Sequence, residues 1–285
     1  MAYAVCESSW AALRAQPRVI RVFPRRTSHT PSDGMAFVGD PSLWVPEADE
    51  VHISCTFTWD IREAERLQQA WQPYAPVVRL GGPAFGSPTD GFTAGLYVRQ
   101  GITFTSRGCP RRCPFCLVPD REGPLRLLPI MPGRVVGDNN FLACPPSHRK
   151  AVYQMLSAQR RAAVFSGGLQ ASLVTDEIAD ELRGLRISEV FLAADSEGAV
   201  RPLREATRRL SFLGRQKLRC YVLCGYDGET IQQAETRLEA VWDAGCLPFA
   251  QLYQAPTPRR TEYSADWRRL QKAWSRPAAT KAMHR

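Results

Sequence analysis

Three closely spaced cysteines constrain this chain more than any other feature of its sequence. Cys109, Cys113 and Cys116 follow the spacing C-x3-C-x2-C, on a loop that leaves the alternating, strand-like residues 101–105. Three thiolates this close together can hold three corners of an iron–sulfur cubane, whereas a closed [4Fe–4S] site uses four cysteines. The missing fourth ligand leaves one iron open. The loop therefore predicts a [4Fe–4S] cluster at which a substrate or cofactor coordinates.

Zinc binding and reactive free thiols are the alternative interpretations of this loop. A zinc site usually takes a second Cys or His pair at similar spacing, and the sequence has no obvious pair of that kind. Cys144, Cys220 and Cys224 together could ligate a second cluster, but isolated cysteines of this sort are common core residues. We expect these three to be core residues.

The composition indicates a globular protein of the cell interior. The chain has 285 residues, of which 44% are hydrophobic and 23% charged, enough for one large α/β domain and a smaller one. No apolar run is long enough to cross a bilayer, and residues 1–25 lack the order of a secretory signal. Nine irregularly spaced cysteines do not indicate a disulfide framework. We therefore expect a cytoplasmic protein without a membrane partner.

The first part of the chain, residues 1–98, predicts a small wound α/β domain. Its expected elements are strands at residues 18–23, 50–57 and 77–80 and a helix at residues 59–71. The last strand ends at the pair Gly81-Gly82. Strand, helix and strand with a Gly-Gly exit are typical of a Rossmann-like fold, which binds ligands at the carboxyl ends of its strands.

Residues 99–256 predict six parallel strands with helices between them. The strands are expected at residues 101–105, 134–137, 162–165, 189–194, 219–224 and 247–253. One helix is expected to begin near Ser147 and another after Thr175. Two more are expected over residues 203–213 and around Ile231. Right-handed crossovers would close the strands into an open barrel with every strand exit on one rim. The predicted class is α/β, with a partial (β/α)6 barrel after the smaller domain.

The cysteine loop resembles the signature of the radical S-adenosylmethionine (radical SAM) superfamily. A six-stranded partial barrel is the core expected of that superfamily, so the resemblance covers residues 100–255. It implies that Cys109, Cys113 and Cys116 ligate the cluster and that the open iron binds the amino and carboxylate groups of SAM. It also implies that Phe115 lies against the adenine side.

The resemblance also implies SAM contacts at three later strand exits. The residues concerned are Ser166, Gly167, Gly168, Asp195, Ser196 and Gly225. The first three stand where the superfamily has a Gly-Gly-acid motif, but Leu169 replaces the acid, so only the backbone role carries over. Asp195 and Ser196 are expected near the ribose or carboxylate, and Gly225 near the adenine. Ordinary turn chemistry is the alternative explanation of each exit, since Gly, Asp and Ser are common in such turns.

The amino-terminal domain is similar to the later part of a cobalamin-binding (B12-type) domain. Such domains carry a Ser-x-Leu/Thr element, which Ser54-Cys55-Thr56 fits, and a later Gly-Gly pair, which Gly81-Gly82 fits. Their upstream D-x-H-x-x-G motif is absent, since neither His29 nor His52 has that context. The resemblance therefore implies a degenerate domain, in which cobalamin stays an alternative cofactor without a protein histidine ligand.

The resemblance implies reductive cleavage of SAM to a 5′-deoxyadenosyl radical that acts on an unidentified substrate, with an electron donor of the flavodoxin or ferredoxin type. A cobalamin-dependent radical SAM methyltransferase and a non-catalytic iron–sulfur protein are the alternatives. Residues 257–285 form a basic tail, with eight Lys or Arg against Glu262 and Asp266. The tail predicts either a helix that packs on the barrel with a solvated basic face or a nucleic-acid contact.

Overall fold

The computed structural model describes residues 17–86 and 95–284. The chain divides into an amino-terminal unit, Met1–Ser87, and a carboxyl-terminal unit, Pro88–Arg285. The sequence placed the boundary between residues 98 and 99, eleven residues further along the chain than the division after Ser87. No helix among the described residues has both the length and the apolar character needed to cross a membrane.

The amino-terminal unit is a four-stranded parallel sheet with one helix. Its elements are β1 (Val19–Phe23), β2 (Ala36–Val38), β3 (Glu50–Ser54), α1 (Ile61–Trp71) and β4 (Val77–Gly81). The strands lie in the order β2-β1-β3-β4, and all three pairings are parallel. Every second residue of β3 is buried, and the buried face of α1 packs on β3 and β4 through Ala64, Leu67 and Trp71.

Two details of this unit differ from the sequence prediction. Strand β2 was not predicted, because its three residues are too few for an alternating pattern to be recognised. Strand β3 ends at Ser54 instead of residue 57, since the chain turns into a short 3-10 helix at Thr58–Asp60. Past Ser54, the Cys55 N–H still donates to the Gly81 carbonyl at 2.9 Å, which fixes the exits of β3 and β4 to each other.

The carboxyl-terminal unit contains a six-stranded parallel sheet in chain order. Its strands are β5 (Ile102–Thr103), β8 (Val135–Val136), β9 (Ala163–Leu169), β10 (Ile187–Ala193), β11 (Leu218–Cys224) and β12 (Leu247–Leu252). Each pairs in parallel with the next along the chain. A separate antiparallel pair joins β6 (Ser106–Arg107) to β7 (Arg126–Leu127). The predicted α/β class with parallel sheets is confirmed, and strands are present at all six predicted places.

The helices of this unit are α2 (Val118–Glu122), α3 (Pro146–Ser157), α4 (Asp176–Arg183), α5 (Val200–Arg209), α6 (Ile231–Asp243), α7 (Ala265–Trp274) and α8 (Pro277–Met283). Helices α3 to α6 connect the strands of the sheet from β8 onward, whereas α2 lies between β6 and β7, and α7 and α8 follow β12. One hydrophobic cluster fills the space between the sheet and helices α3 to α7. The helix predicted over residues 203–213 is α5, which ends at Arg209 and is followed by a 3-10 turn, Ser211–Leu213.

The basic tail packs on the sheet. Helix α7 contacts β12 and α6, with Leu270 and Trp274 buried, while Arg268, Arg269 and Lys272 are exposed. The tail therefore has the apolar and basic faces that the sequence predicted. A nucleic-acid contact through the basic face stays a prediction.

Helix α6 begins at a capping box that gives a direct stability test. Thr230 accepts a hydrogen bond from the Gln233 backbone, and the Gln233 side chain accepts one from the Thr230 backbone. We predict that Thr230→Ala lowers the free energy of unfolding by about 1 kcal/mol, measured by urea denaturation. Thr236→Ala, at an exposed position of the same helix, is the matched control and should not lower it. Equal losses in both variants would contradict the capping role.

Candidate functional site

The cysteine loop lies between β6 and α2. Cys109, Cys113 and Cys116 are free thiols of intermediate exposure. The pairing of β6 with β7 joins the chain before the loop to the chain after α2, opposing Ser106 to Leu127. The loop is therefore closed at its base.

Glu122 and a tight turn fix the start of the loop. The Glu122 carboxylate accepts from the Arg107 guanidinium at 2.6 Å and from the Gly108 N–H at 3.2 Å. Gly108 has a φ of +79°, and a Cβ there would lie 2.2 Å from the Pro124 carbonyl oxygen. Only glycine fits this position. The backbone is therefore set immediately before Cys109.

The buried carboxylate of Asp138 anchors the residues that lead into the cysteine loop. Asp138, which follows β8, is 1% exposed. It accepts hydrogen bonds from the Thr105 N–H at 2.6 Å, the Thr105 hydroxyl at 2.6 Å and the Ser106 hydroxyl at 2.7 Å. Burial raises the pKa of Asp138, and the hydrogen bonds from Thr105 and Ser106 oppose that rise. This carboxylate joins the exit of β8 to the strand that leads into the cysteine loop.

The loop sulfurs receive N–H donors. Cys109 Sγ accepts from the Arg111 backbone N–H and from Asn140 Nδ2, each at 3.5 Å. Burial is the main cause that raises the pKa of Cys116; a backbone hydrogen bond at Val118 opposes it, and the nearby Cys109 and Cys113 add to it. Thiolate ligands with N–H donors are the pattern expected of a cluster-binding loop, because those donors offset charge on the sulfur.

Cys109, Cys113 and Cys116 offer three thiols on one loop, and thiolates are the usual ligands of iron–sulfur clusters. Among residues 17–86 and 95–284, no three His, Cys, Asp or Glu side chains are grouped so that they could hold one metal ion. In a cubane each cysteine binds a different iron, so its ligands stand farther apart than those of one ion. The single-ion result therefore does not bear on a cluster. The residues able to hold a [4Fe–4S] cluster are Cys109, Cys113 and Cys116.

Aromatic contacts join the cysteine loop to two strand exits. The ring of Phe115 meets that of Tyr226 edge to face at 5.8 Å between centroids, and Tyr226 meets Tyr253 in the same way at 4.9 Å. Tyr226 follows β11 and Tyr253 follows β12. The cysteine loop therefore lies beside the carboxyl ends of these two strands.

Ser166, Gly167 and Gly168 lie within β9, and not after it as the sequence predicted. The pairing of the two strands aligns Phe165 with Val190 and Leu169 with Leu192. A step of four residues along β9 thus matches a step of two along β10, so this segment of β9 forms a bulge. Alternation predicts a strand only while the pairing is regular, and the bulge breaks it. A Cβ at Gly167 would lie 1.9 Å from the Asp138 carbonyl oxygen, and Gly168 has a φ of +92°. The bulge therefore abuts the same β8 exit that holds the cysteine loop.

Asp195 is close to the cysteine loop. Its carboxylate accepts from the Leu223 N–H at 2.9 Å. Burial raises the pKa of Asp195, and the Leu223 N–H together with the charges of Arg237 and Arg111 opposes that rise. Its charge also contributes to the raised pKa of Cys116. Ser196, the next residue, is exposed.

Gly225 has partners for both of its backbone polar groups. Its N–H donates to Glu229 at 2.8 Å, and its carbonyl accepts from the Tyr263 hydroxyl at 3.4 Å. It has a φ of +76°, and a Cβ there would lie 2.8 Å from the Tyr263 ring. Gly225 can therefore offer a ligand packing surface, but not a free hydrogen-bonding group.

Several residues around the loop were missed by the sequence analysis. They are Glu122, Asp138, Asn140 and Gln170. Asp138 and Asn140 belong to the polar run that ends β8, and that run was interpreted only as the lead into a helix. The rule that polar residues at parallel strand ends face a site would have identified them. No local pattern distinguishes Glu122 or Gln170, whose roles depend on contacts across the fold.

The cysteines outside the loop that the structure describes are core residues, as we expected for Cys144, Cys220 and Cys224. Cys144, Cys220, Cys224 and Cys246 are buried in the carboxyl-terminal unit and Cys55 in the amino-terminal unit. The Cys220 thiol donates to the Tyr221 carbonyl at 3.5 Å, and the Cys224 thiol to the Val222 carbonyl at 3.4 Å. Burial raises the pKa of Cys224 to about 12. Such thiols stay protonated and take no part in the loop.

The Gly81-Gly82 turn of the amino-terminal unit packs tightly against β3. Gly82 has a φ of +110°, and a Cβ there would lie 2.6 Å from the Cys55 carbonyl oxygen. His52 Nε2 lies 2.7 Å from Glu50, and His29 contacts Ser28 at 3.1 Å. Both histidines are thus engaged within the unit. These contacts give no support to a cobalt ligand, and no chemistry is assigned to a corrin.

Comparison with known proteins adds no relative. No protein-family model matches the chain, and no curated protein matches it. The resemblance to the radical SAM superfamily therefore depends on the cysteine spacing and on the order of the strands.

Asp138 provides a test of how the loop is held. We predict that Asp138→Ala lowers the free energy of unfolding by about 3 kcal/mol, because it leaves the buried donors of Thr105 and Ser106 without an acceptor. The measurement is urea denaturation of the intact chain. Asp180→Ala, at an exposed position of α4, is the control and should change it by less than about 0.5 kcal/mol. A loss in Asp138→Ala no larger than in the control would contradict this role.

Proposed function

We propose that this protein is a radical SAM enzyme. Cys109, Cys113 and Cys116 hold a [4Fe–4S] cluster, and its open iron binds SAM. The observation that carries the proposal is the position of this C-x3-C-x2-C loop, which follows β6 just beyond β5, the first strand of a parallel sheet whose six strands follow chain order. Active sites of parallel α/β sheets and barrels lie at the carboxyl ends of their strands.

Contacts from several strand exits support the proposal. Asn140 from the β8 exit contacts Cys109, and Tyr226 from the β11 exit contacts Phe115. Asp195 from the β10 exit is near enough to Cys116 and Arg111 to shift the pKa of Cys116 and to have its own pKa shifted by Arg111. We propose that the sheet curves into an open (β/α)6 barrel, since this brings the exits to one rim.

The chain's own residues have distinct roles in the proposed site. A cluster held by Cys109, Cys113 and Cys116 would supply the electron for reductive cleavage of SAM to methionine and a 5′-deoxyadenosyl radical, which would take hydrogen from the substrate. The bulge at Gly167 and Gly168 approaches SAM through its backbone. Asp195 and Ser196 bind its polar groups, and Phe115 packs on its adenine. The electron comes from a flavodoxin or ferredoxin type of donor.

The other parts of the chain have accessory roles in this proposal. The amino-terminal unit is a degenerate Rossmann-like, B12-type domain that binds no corrin through a histidine. The solvated face of the basic tail, with Arg268, Arg269 and Lys272 exposed, is a surface that a nucleic acid would fit. The substrate itself is not identified by any of these features.

The first test of the proposal is the iron content of the chain. Protein reconstituted without oxygen should hold about four irons per chain and absorb broadly in the visible range. Cys109→Ala, Cys113→Ala and Cys116→Ala should each abolish this, because each removes a ligand. Cys220→Ala, in the core of the same unit, is the matched control and should retain the iron. Stoichiometric zinc in place of iron, in protein purified without oxygen, would overturn the cluster assignment.

The second test is cleavage of SAM. Reduced protein should convert SAM to 5′-deoxyadenosine and methionine, detected by liquid chromatography, and the Cys113→Ala variant should not. A full cluster without any 5′-deoxyadenosine would instead support the non-catalytic iron–sulfur protein. Methyl transfer that depends on added cobalamin would support the methyltransferase.

A further inference from the structure

Asn140 is the buried side chain that contacts a sulfur of the cysteine loop. It follows β8 and is 3% exposed. Its Nδ2 donates to Cys109 Sγ at 3.5 Å and to Gln170 Oε1 at 2.8 Å, so both amide hydrogens are in use. Gln170 in turn donates to the Ser172 hydroxyl at 2.7 Å. A chain of hydrogen bonds thus runs from the β9 exit to the first cysteine.

In this chain the nitrogen of the Asn140 amide faces the sulfur. Gln170 gives its N–H to the Ser172 hydroxyl and presents its oxygen to Asn140, whose nitrogen donates to both Gln170 and Cys109. Asn140 Oδ1 is buried without a hydrogen-bond partner. A buried acceptor without a partner carries a cost in the free energy of folding. The fold tolerates that cost while it keeps the donor on Cys109.

A donor at this sulfur suits a metal-bound thiolate. An iron-bound thiolate has no proton to donate. If the Asn140 amide were rotated, its oxygen would face the sulfur, and two acceptors would be opposed. An N–H directed at the sulfur offsets negative charge there. A reduced cluster carries one more negative charge than an oxidised one, so the donor stabilises the reduced form more. Hydrogen bonds to the sulfurs are among the factors that set the potential of iron–sulfur clusters.

We infer that Asn140 is a positioning residue that raises the reduction potential of the cluster held by Cys109, Cys113 and Cys116. Gln170 orients it. The inference rests on the proposed cluster and adds a role for a residue outside the ligand set. Residues at the β8 and β9 exits would then help to set the reduction potential of the cluster, in addition to their proposed place beside SAM.

The test measures the midpoint potential of the cluster in variants of the intact chain. Asn140→Leu removes the donor at nearly constant volume, and Asn140→Asp replaces it by a negative charge. Asn139→Leu is the matched control, since it changes the neighbouring amide in the same way. Each protein is reconstituted without oxygen, and the reduced cluster is titrated by electron paramagnetic resonance in the absence of SAM.

We expect a more negative midpoint potential in Asn140→Leu than in the parent, a still more negative one in Asn140→Asp, and the parent value in Asn139→Leu. Iron content should be the same in all four proteins. An unchanged or more positive potential in Asn140→Leu, with full iron content, would overturn the inference. If Asn140→Leu does not retain iron, Gln170→Leu takes its place, because it leaves the amide free to rotate. If the Gln170→Leu variant holds its full iron content and has the same midpoint potential as the parent, the inference is overturned.

A spectroscopic measurement separates this role from a merely structural one. In protein labelled with 15N-asparagine, pulsed electron paramagnetic resonance should detect a nitrogen coupled to the reduced cluster, retained in Asn139→Leu and lost in Asn140→Leu. No such coupling in the loaded parent would overturn the inference while the cluster assignment stands. A parent that holds no iron would instead overturn the proposed function.

Discussion

The hydrogen bonds that Asp138 accepts from Thr105 and Ser106 are the interaction on which the site depends. Strands β5 and β8 pair over only two residues each, so the sheet itself gives little support to the chain that leaves β5. The Asp138 carboxylate links the two chain segments beyond the end of the backbone pairing. It accepts one hydrogen bond from a backbone N–H and two from hydroxyls. A buried carboxylate with several donors is stable only in one arrangement. The position of the cysteine loop depends on that arrangement, since the loop follows β6, which begins at Ser106.

Burial and neighbouring groups act together on the Cys116 thiol. Burial raises its pKa most, and the nearby Cys113, Cys109 and Asp195 raise it further. A metal that binds thiolates releases their protons, so we expect cluster assembly and the order of this loop to be coupled. Arg111, which opposes the rise in the pKa of Asp195, offsets part of that residue's negative charge.

The strand exits show how far a local pattern predicts a site. The exits of β10 and β11 were located correctly, since regular strands end where their alternation ends. The exit at Ser166 to Gly168 was placed after a strand that in fact continues through a bulge to Leu169. A bulge is set by the pairing partner, and periodicity along one strand does not contain that information. Gln170 was overlooked because its contact with Asn140 joins the exits of two strands, and periodicity along one strand does not contain that contact either.

The sequence by itself determined the α/β class, the places of the six strands in the larger unit, the core role of cysteines such as Cys220 and the three cysteines that can hold a cluster. These follow from alternation, helical spacing and residue chemistry, which act over a few neighbouring residues. Only the tertiary structure decided that Asp138 holds the loop, that Asn140 faces Cys109 and that the polar groups of Gly225 are occupied by Glu229 and Tyr263. Each of the first two contacts joins residues about thirty positions apart, and their geometry is fixed by how the strands pack, which no local pattern encodes.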